Sequence, residues 1–194
     1  MRFFTADTHF SFDDIMVVQR DFRPFETIQA MNEGIIKVWN KQVKKGDLIY
    51  HIGDFVNYNF RDCTHYMDCF AFVKKIKADI ILICGNNEER IIESVYHHDF
   101  EKFRADLIAL GFKDVVRDGL YTDIGGKKVY MTHYPINHKR GMENLFGHIH
   151  TSCFVKKFGF NVGIDNHYLG LFSEDDIIDL FSRRPLFDDN VYKN

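Results

Sequence analysis

Seven side chains scattered through this chain share one kind of chemistry. They are Asp7 and His9 in Asp7-Thr8-His9, Asp54 in Gly53-Asp54, Asn86 in Gly85-Asn86-Asn87-Glu88, His133, and His148 and His150 in Gly147-His148-Ile149-His150. Carboxylate, carboxamide and imidazole donors without a thiolate suit Mn, Fe, Zn or Mg better than a structural Cys-rich zinc site. Seven such donors are enough for a pair of ions, and two ions about 3.5–4 Å apart are the usual apparatus for hydrolysing phosphate esters. Residues two apart on an extended segment face the same side, so Asp7 with His9, and His148 with His150, can reach one ion. Taken singly, each motif has a blander reading. Asp54 after glycine can stabilise a turn, Asn86 can accept a positive φ, and His133 can be a hydrogen-bonded core histidine. The weight therefore rests on their occurring together.

These residues need strand ends to carry them, and the pattern supplies several. Residues 1–6 read as a buried strand delivering Asp7 and His9 at its carboxyl end, where α/β sheets display functional groups. Over residues 27–43, Ile28, Met31, Ile35, Val38, Trp39 and Val43 recur at helical spacing, and Lys44-Lys45-Gly46 is a C-terminal stop. A second strand, 48–52, runs into Gly53-Asp54, and a third, 80–84, stops at Gly85-Asn86. Residues 70–76 close another helix. Residues 88–110 are helical in pattern with a break near His97-His98-Asp99, and Gly111 ends them. The second half is strand-rich, with short strands at 115–116, 120–124, 129–132, 145–148 and 160–164 and a hairpin turn at Gly125-Gly126. An α/β half joined to a strand-rich half predicts two packed sheets with helices outside. No linker or repeat divides the chain, so one domain over 1–194 is expected, with the tail after Asp179 either a docked strap or a frayed end.

Composition narrows the partners. Hydrophobic residues make up 45% of the 194, with 20 Phe, so a sizeable core is available. A formal charge of −3 argues against an extended surface for gripping nucleic acid, although bound cations would add local positive charge. Cys63, Cys69, Cys84 and Cys153 lack paired metal-knuckle spacing and read as ordinary thiols in a reducing compartment. MRFFTADTHF has no signal-peptide organisation, and no apolar run reaches the roughly 18 residues of a membrane span. A cytoplasmic protein with no membrane association is expected. The oligomeric state is left open.

In the order Asp-x-His, Gly-Asp, Gly-Asn, a single His and Gly-His-x-His, the chain resembles the calcineurin-like metallophosphoesterase superfamily. The resemblance runs from Asp7 to about Asp165 and is nearest to small stand-alone bacterial and phage phosphoesterases that begin with a DTHF-like string. Tyr50-His51-Ile52-Gly53-Asp54-Phe55, Thr132-His133-Tyr134-Pro135 and Asn161-Val162-Gly163-Ile164-Asp165 add to it. It implies a four-layer α-β-β-α sandwich of two packed mixed sheets. It also implies two divalent metal ions, Mn first among Fe, Zn, Ni, Co and Mg. The first would be held by Asp7, His9, Asp54 and His150, and the second by Asp54, Asn86, His133 and His148. Asp54 would bridge them, and the nucleophile would be a hydroxide between the ions.

The sequence departs from the family in one place that bears on substrate. Many relatives carry a histidine after the motif asparagine, at the position of a leaving-group acid, and here that residue is Asn87. An amide is no general acid near neutral pH, and positioned acid–base catalysis is commonly worth about 10²–10⁴-fold. A bias toward phosphodiesters such as cyclic nucleotides follows, with a small phosphorylated substrate as the partner. His51, His97, His98 and His138 are the candidates to fill the vacant role. Arg140, after the His133 strand, is a candidate phosphate contact through its guanidinium fork. Asp165 and Asn161 are candidate supports for the metal histidines, while Phe10, Phe12 and Phe55 fit packing better than base stacking. The rival functions are a scaffold that keeps this fold without catalysis and a nuclease acting on short single strands. The first should have lost ligands and the second should have a basic groove.

Overall fold

The computed structural model describes residues 1–59 and 66–187. Four parallel strands, β1 (Arg2–Thr5), β2 (Leu48–Ile52), β3 (Asp79–Ile83) and β4 (Asp114–Val116), form one sheet in that order, and β10 (Phe172–Ser173) pairs antiparallel with β1. The second sheet runs β5 (Leu120–Ile124), β6 (Lys127–Met131), β7 (Glu143–Phe146), β9 (Gly159–Asn161) and β8 (Val155–Lys156). In it β6, β7 and β9 are parallel, and β5 and β8 are antiparallel edges. Both sheets are thus mixed. The helices are α1 (Asp14–Val18), α2 (Ile28–Gln42), α3 (Tyr66–Phe70), α4 (Asn86–Ser94), α5 (Phe100–Leu110) and α6 (Glu174–Phe187).

Alternation along the central strands divides the core in two. Phe3, Ile49, Ile80 and Leu82 face the helices and pack with Met31, Ile35, Trp39, Phe70, Phe103 and Leu107. Phe4, Tyr50, Ile52 and Ile83 point the other way, into a second cluster with Val129, Met131, Leu145 and Phe160 that also takes in Ile177 and Phe181 of α6. This two-sided burial is why β2 and β3 read as near-continuous apolar runs. The observed architecture is the mixed α/β arrangement of two packed mixed sheets and helices that the sequence implied.

Thr27 caps α2 by accepting from the Ala30 N–H, and Asp99 caps α5 by accepting from the Lys102 N–H. The helical stretch over 88–110 is indeed two helices, with His97 and His98 both left-handed in the turn between them. Val115 and Val116 belong to the first sheet and not, as their neighbours suggested, to the second, because α5 returns the chain alongside β3. The strand expected over 145–148 ends at Phe146, and α6 continues through Phe187 where a strap or frayed end was expected. Cys63 and the final seven residues lie outside the described residues. Among the described residues no helix is long and apolar enough to cross a membrane.

Candidate metal centre

The carboxyl ends of β1, β2, β3, β6 and β7 converge, and each delivers part of the seven-residue set just beyond its last strand residue. Asp7, His9, Asp54, His148 and His150 all have positive φ, between 46° and 71°. Such backbone is uncommon for non-glycine residues and costs of order 1–3 kcal/mol each, so the surroundings must enforce it. They do so through a zipper that prolongs the β1–β2 pairing. Asp7 N–H donates to Gly53 O at 3.0 Å, His9 N–H to Asp54 O at 3.0 Å and Phe10 N–H to Phe55 O at 2.9 Å. Two motif glycines are dictated by close approach. A Cβ on Gly53 would lie 2.3 Å from His133 Nδ1, and one on Gly85 would lie 2.3 Å from Asp54 Oδ1.

Within this frame the donor atoms face one another. Asp7 is fully buried, and both its oxygens accept from the His148 N–H at 3.0 Å. Asp54 presents Oδ2 to His9 Nε2 and Oδ1 to His133 Nε2, each at 3.6 Å. Asn86 Oδ1 lies 3.1 Å from His133 Nε2 and 2.9 Å from His148 Nδ1. Ligand atoms of Asp7, His9 and His150 fall within 4.8 Å of one another, and so do those of Asp7, Asp54 and His133.

Two features show that this cluster fits cations. His9 Nε2 is buried with no hydrogen-bond partner, a state that ordinarily costs about 1–3 kcal/mol. His133 Nδ1 donates to the Ile52 carbonyl at 2.9 Å, so Nε2, 3.1 Å from Asn86 Oδ1, is the nitrogen left to ligate once its proton is lost. Two acceptors aimed at one point suit a positive ion. The donor set, oxygen and nitrogen without sulfur, suits Mn, Fe, Zn or Mg. Asp7, His9 and His150 could hold one ion, and Asp54 and His133 with Asn86 and His148 could hold another.

Protonation in the metal-free site sets a pH dependence. Burial, reinforced by Asp54, lifts Asp7 to about 6. Burial opposes charge on His133, but the carboxylates of Asp54 and Asp7 outweigh it and raise its pKa. His150 is likewise opposed by burial and raised by its bond to Asp165. Burial, with His150 and Arg23 nearby, holds His9 well below its usual value, so its lone pair stays available. Metal binding must displace the protons on Asp7, His133 and His150. Apparent metal affinity is therefore expected to fall as pH drops, by at least about tenfold per pH unit below the Asp7 value. Calorimetric titrations with Mn between about pH 5 and pH 8, in buffers of different ionisation enthalpy, measure both the affinity and the proton release. A flat profile without proton release would contradict this description.

Behind the donors stands a layer of buried charge. Arg23, 1% exposed, donates from Nε to Asp165 Oδ1 at 2.7 Å and from Nη2 to Asp165 Oδ2 at 3.0 Å. The same guanidinium donates to Thr8 O at 2.7 Å and to Asp7 O at 2.6 Å, so it fixes the left-handed segment carrying Asp7 and His9. Asp165 in turn accepts from His150 Nδ1 at 2.8 Å, which leaves Nε2 free to ligate. Asn161 and Asn166 both donate to His150 O, at 2.6 and 2.9 Å. Glu88, also fully buried, accepts the N–H groups of Gly85, Asp54 and Phe55 at 2.8, 2.8 and 2.9 Å. Burial and the neighbouring Asp54 push it up to about 7. Glu88 carried a sequence signal, since it stands three residues after Gly85 at capping-box spacing. Arg23 carried none.

Comparison with known proteins places this arrangement. The family model described as calcineurin-like phosphoesterase matches residues 3–192. The chain belongs to that family. An uncharacterized protein of Methanocaldococcus jannaschii is 35% identical over 93 residues, covering 45% of this chain and 49% of its own. The chain thus spans about half the length of that curated relative. A crystal structure of an Aquifex aeolicus protein of unknown function superposes with a TM-score of 0.65 at 21% identity, covering 93% of this chain and 98% of its own, and so shares the fold. A structure titled as a novel archaeal phosphodiesterase matches at a TM-score of 0.43 and 18% identity, over 84% of this chain and 81% of its own, too loosely to bear on activity.

The remaining sequence candidates divide. Asn87 lies beside the centre but is buried. Its Oδ1 accepts from the Tyr58 N–H at 3.0 Å and its own N–H donates to Asp54 Oδ1 at 3.0 Å. His51 is fully buried, with Nε2 2.9 Å from Thr8 Oγ1, and burial lowers it to about 3, so it stays neutral. His97 and His98 are exposed in the turn after α4, and His138 stacks on Phe158 with ring centroids 3.8 Å apart. Phe10 and Phe55 are fully buried and pack on each other, while Phe12 lies 6.3 Å from the His9 ring.

The structure does not bring Arg140 to the donors. It sits just ahead of β7, at the amino end, whereas His148 follows the carboxyl end of that strand. The crossover from β6 to a parallel β7 must return the chain to the far edge of the sheet, which is why a residue soon after His133 ends remote from it. A recess of about 320 Å³ that the sequence did not disclose adjoins His133, lined by Glu89, Arg117, Thr132, Tyr134 and Asn137.

Proposed function

We propose that this chain is a dinuclear phosphohydrolase, with Mn as its first metal, acting on small phosphorylated substrates and favouring diesters such as cyclic nucleotides. The observation that carries the reading is Asp54, whose two carboxylate oxygens face His9 on one side and His133 on the other. A carboxylate so placed faces a histidine of each donor group, beside Asp7, which is common to both. When bound, the ions would supply Lewis acidity and a water of lowered pKa, the two contributions that hydrolysis at phosphorus needs.

The chain's own residues supply the positioning. Ile52 O fixes the tautomer of His133, Asp165 fixes that of His150, and the Asn87 N–H orients Asp54. Arg117 donates from Nε to Glu89 Oε1 and from Nη2 to Glu89 Oε2, a bidentate pair in the wall of the recess beside His133, a place for the substrate's organic part. Asn87 supports the diester preference, because its buried amide is bonded to Tyr58 and offers no acid to a leaving group. Every ligand type that a degenerate scaffold would have lost is present, which favours the enzymatic reading over the binding-only one.

Matched aryl diesters and alkyl monoesters, assayed with Mn, Fe, Zn, Co, Ni and Mg in turn, test the proposal. The diester is expected to be the better substrate. Asn87→His is expected to raise monoester over diester turnover by up to about 10²-fold, the low end of positioned acid catalysis. No relative gain in a folded, metal-binding variant would remove the explanation of specificity. Inactivity of the wild type on both esters with every metal would favour the scaffold.

A further inference from the structure

Three basic pairs far apart in sequence meet at the edge of the second sheet remote from the metal centre. Lys127 and Lys128 open β6, Lys139 and Arg140 precede β7, and Lys157 follows Lys156 between β8 and β9. Since β6, β7 and β9 are parallel, their amino ends lie side by side, and Lys127, Lys128, Lys139, Arg140 and Lys157 line one cleft of about 890 Å³. Among the described residues five cationic side chains line it against a single carboxylate, Glu143. The concentration is notable in a chain whose net charge is −3. Glu143 and His148 are five positions apart along β7 and its extension, roughly 15 Å at the rise of a strand.

The usual account of a basic patch is a set of solvated side chains on a mobile loop, and here the loop is held. Asn144, fully buried, accepts the Lys139 N–H at 2.8 Å and donates to Lys139 O, Met142 O and Phe158 O at 3.1, 2.9 and 3.0 Å. One carboxamide thereby fixes the turn bearing Lys139 and Arg140 to the segment bearing Lys157. The ordering entropy of that backbone is already spent before a ligand arrives. Lys127 is partly engaged by Glu143 at 3.2 Å, and Lys139 lies over the Tyr130 ring at 5.1 Å. Lys128, Arg140 and Lys157 are exposed and have no acidic partner among the described residues. In the same cleft the His138 and Phe158 rings stack within 7° of parallel, an aromatic ledge beside the cations.

We infer that this cleft is a second binding site, for the phosphates and a base of a short single-stranded oligonucleotide. Cations spread along an open cleft match consecutive phosphates better than one, and an aromatic surface beside them suits a base of any identity. The site is separate from the metal centre, and binding there needs no metal. A basic groove was absent from the linear sequence because its members come from positions 127–128, 139–140 and 157, and only the fold unites them.

Fluorescence anisotropy of a labelled oligothymidylate of about twelve nucleotides, measured in EDTA across a salt series, tests this directly. The wild type is expected to bind with strong salt dependence. The Lys128→Glu/Lys157→Glu double variant is expected to bind at least about tenfold more weakly, with the log–log salt slope reduced by about 1.4 for two lost phosphate contacts on a single strand. A control reversal on α2, Lys37→Glu/Lys41→Glu, is expected to change binding less than about twofold. Circular dichroism and hydrolysis of a small aryl diester are expected to be unchanged in the Lys128/Lys157 variant. Absence of wild-type binding, or equal loss in the control, would overturn the inference. Displacement by inorganic phosphate as effectively as by unlabelled oligomer would reassign the cleft to a single anion. Because the measurement is made without metal, its outcome is independent of whether the dinuclear reading stands.

Discussion

Asp54→Asn is expected to abolish hydrolysis while leaving the metal-free protein as stable as the wild type or more so. The substitution keeps shape and can keep the bond from the Asn87 N–H, but it removes a charge that faces both His9 and His133. Loss of an outer partner of a metal site commonly costs about 10–100-fold, and a residue proposed to serve both ions should exceed the upper figure, at least about 10²-fold in kcat at saturating metal. The stability arm runs the other way. Burial above all, and Asp54 beside them, push the Asp7 and Glu88 carboxyls upward, and the substitution removes the part due to Asp54. Removing it should leave the melting temperature of the metal-free protein unchanged or raised, while the gain on adding Mn shrinks. Loss of activity together with loss of the fold would make Asp54 a structural residue instead.

Arg23→Met is expected to be the most destabilising single change at the site. The guanidinium is buried with Asp165, and breaking such a pair from one side strands the other charge, typically at about 3–5 kcal/mol. It also removes the donors to Asp7 O and Thr8 O, which hold the left-handed backbone at Asp7 and His9. Metal affinity should fall as well, within the roughly 10–100-fold range of outer-partner losses. Denaturant unfolding of the metal-free protein measures the first effect and metal titration the second. Arg23→Lys keeps the charge without the fork and should fall between. The Arg23→Met/Asp165→Leu double variant should lose less stability than Arg23→Met alone, since it leaves no unpaired charge, yet its metal affinity should not recover. Equal stability of Arg23→Met and wild type would remove this part of the account.

These two residues also mark what could be read in the sequence. Asp54 was legible because a glycine-aspartate at the end of an apolar run, in order with the other motifs, carries its meaning locally. The same holds for Asp7, His9, Asn86, His133, His148 and His150, all of which the fold gathers. Arg23 was not legible. Its partners stand 16 and 142 residues away, and nothing in Arg20-Asp21-Phe22-Arg23-Pro24 separates it from a solvated run. The left-handed backbone at five of the ligands was equally hidden, since it comes from the Asp7–Gly53 and His9–Asp54 hydrogen bonds and not from residue type.

Elements followed the same division between local and distant information. The long periodic α2 and the apolar β2 and β3 were visible in pattern, whereas β8 and β10, two residues each, had no period to detect. β4 was recognised as a strand but grouped with the strand-rich second half, because its pairing with β3 is decided by the return of α5. Arg140 shows the same limit at a candidate site residue. Proximity to His133 in sequence suggested proximity in space, and a parallel crossover carried it to the opposite edge.

The most direct test of the central claim is the number of Mn ions bound per chain, read by native mass spectrometry across a metal titration at about pH 8, above the Asp7 pKa. The account predicts that the wild type fills to two ions per chain and that Asp54→Asn fails to hold the pair. Saturation of the folded wild type at one ion, or at none, would contradict it.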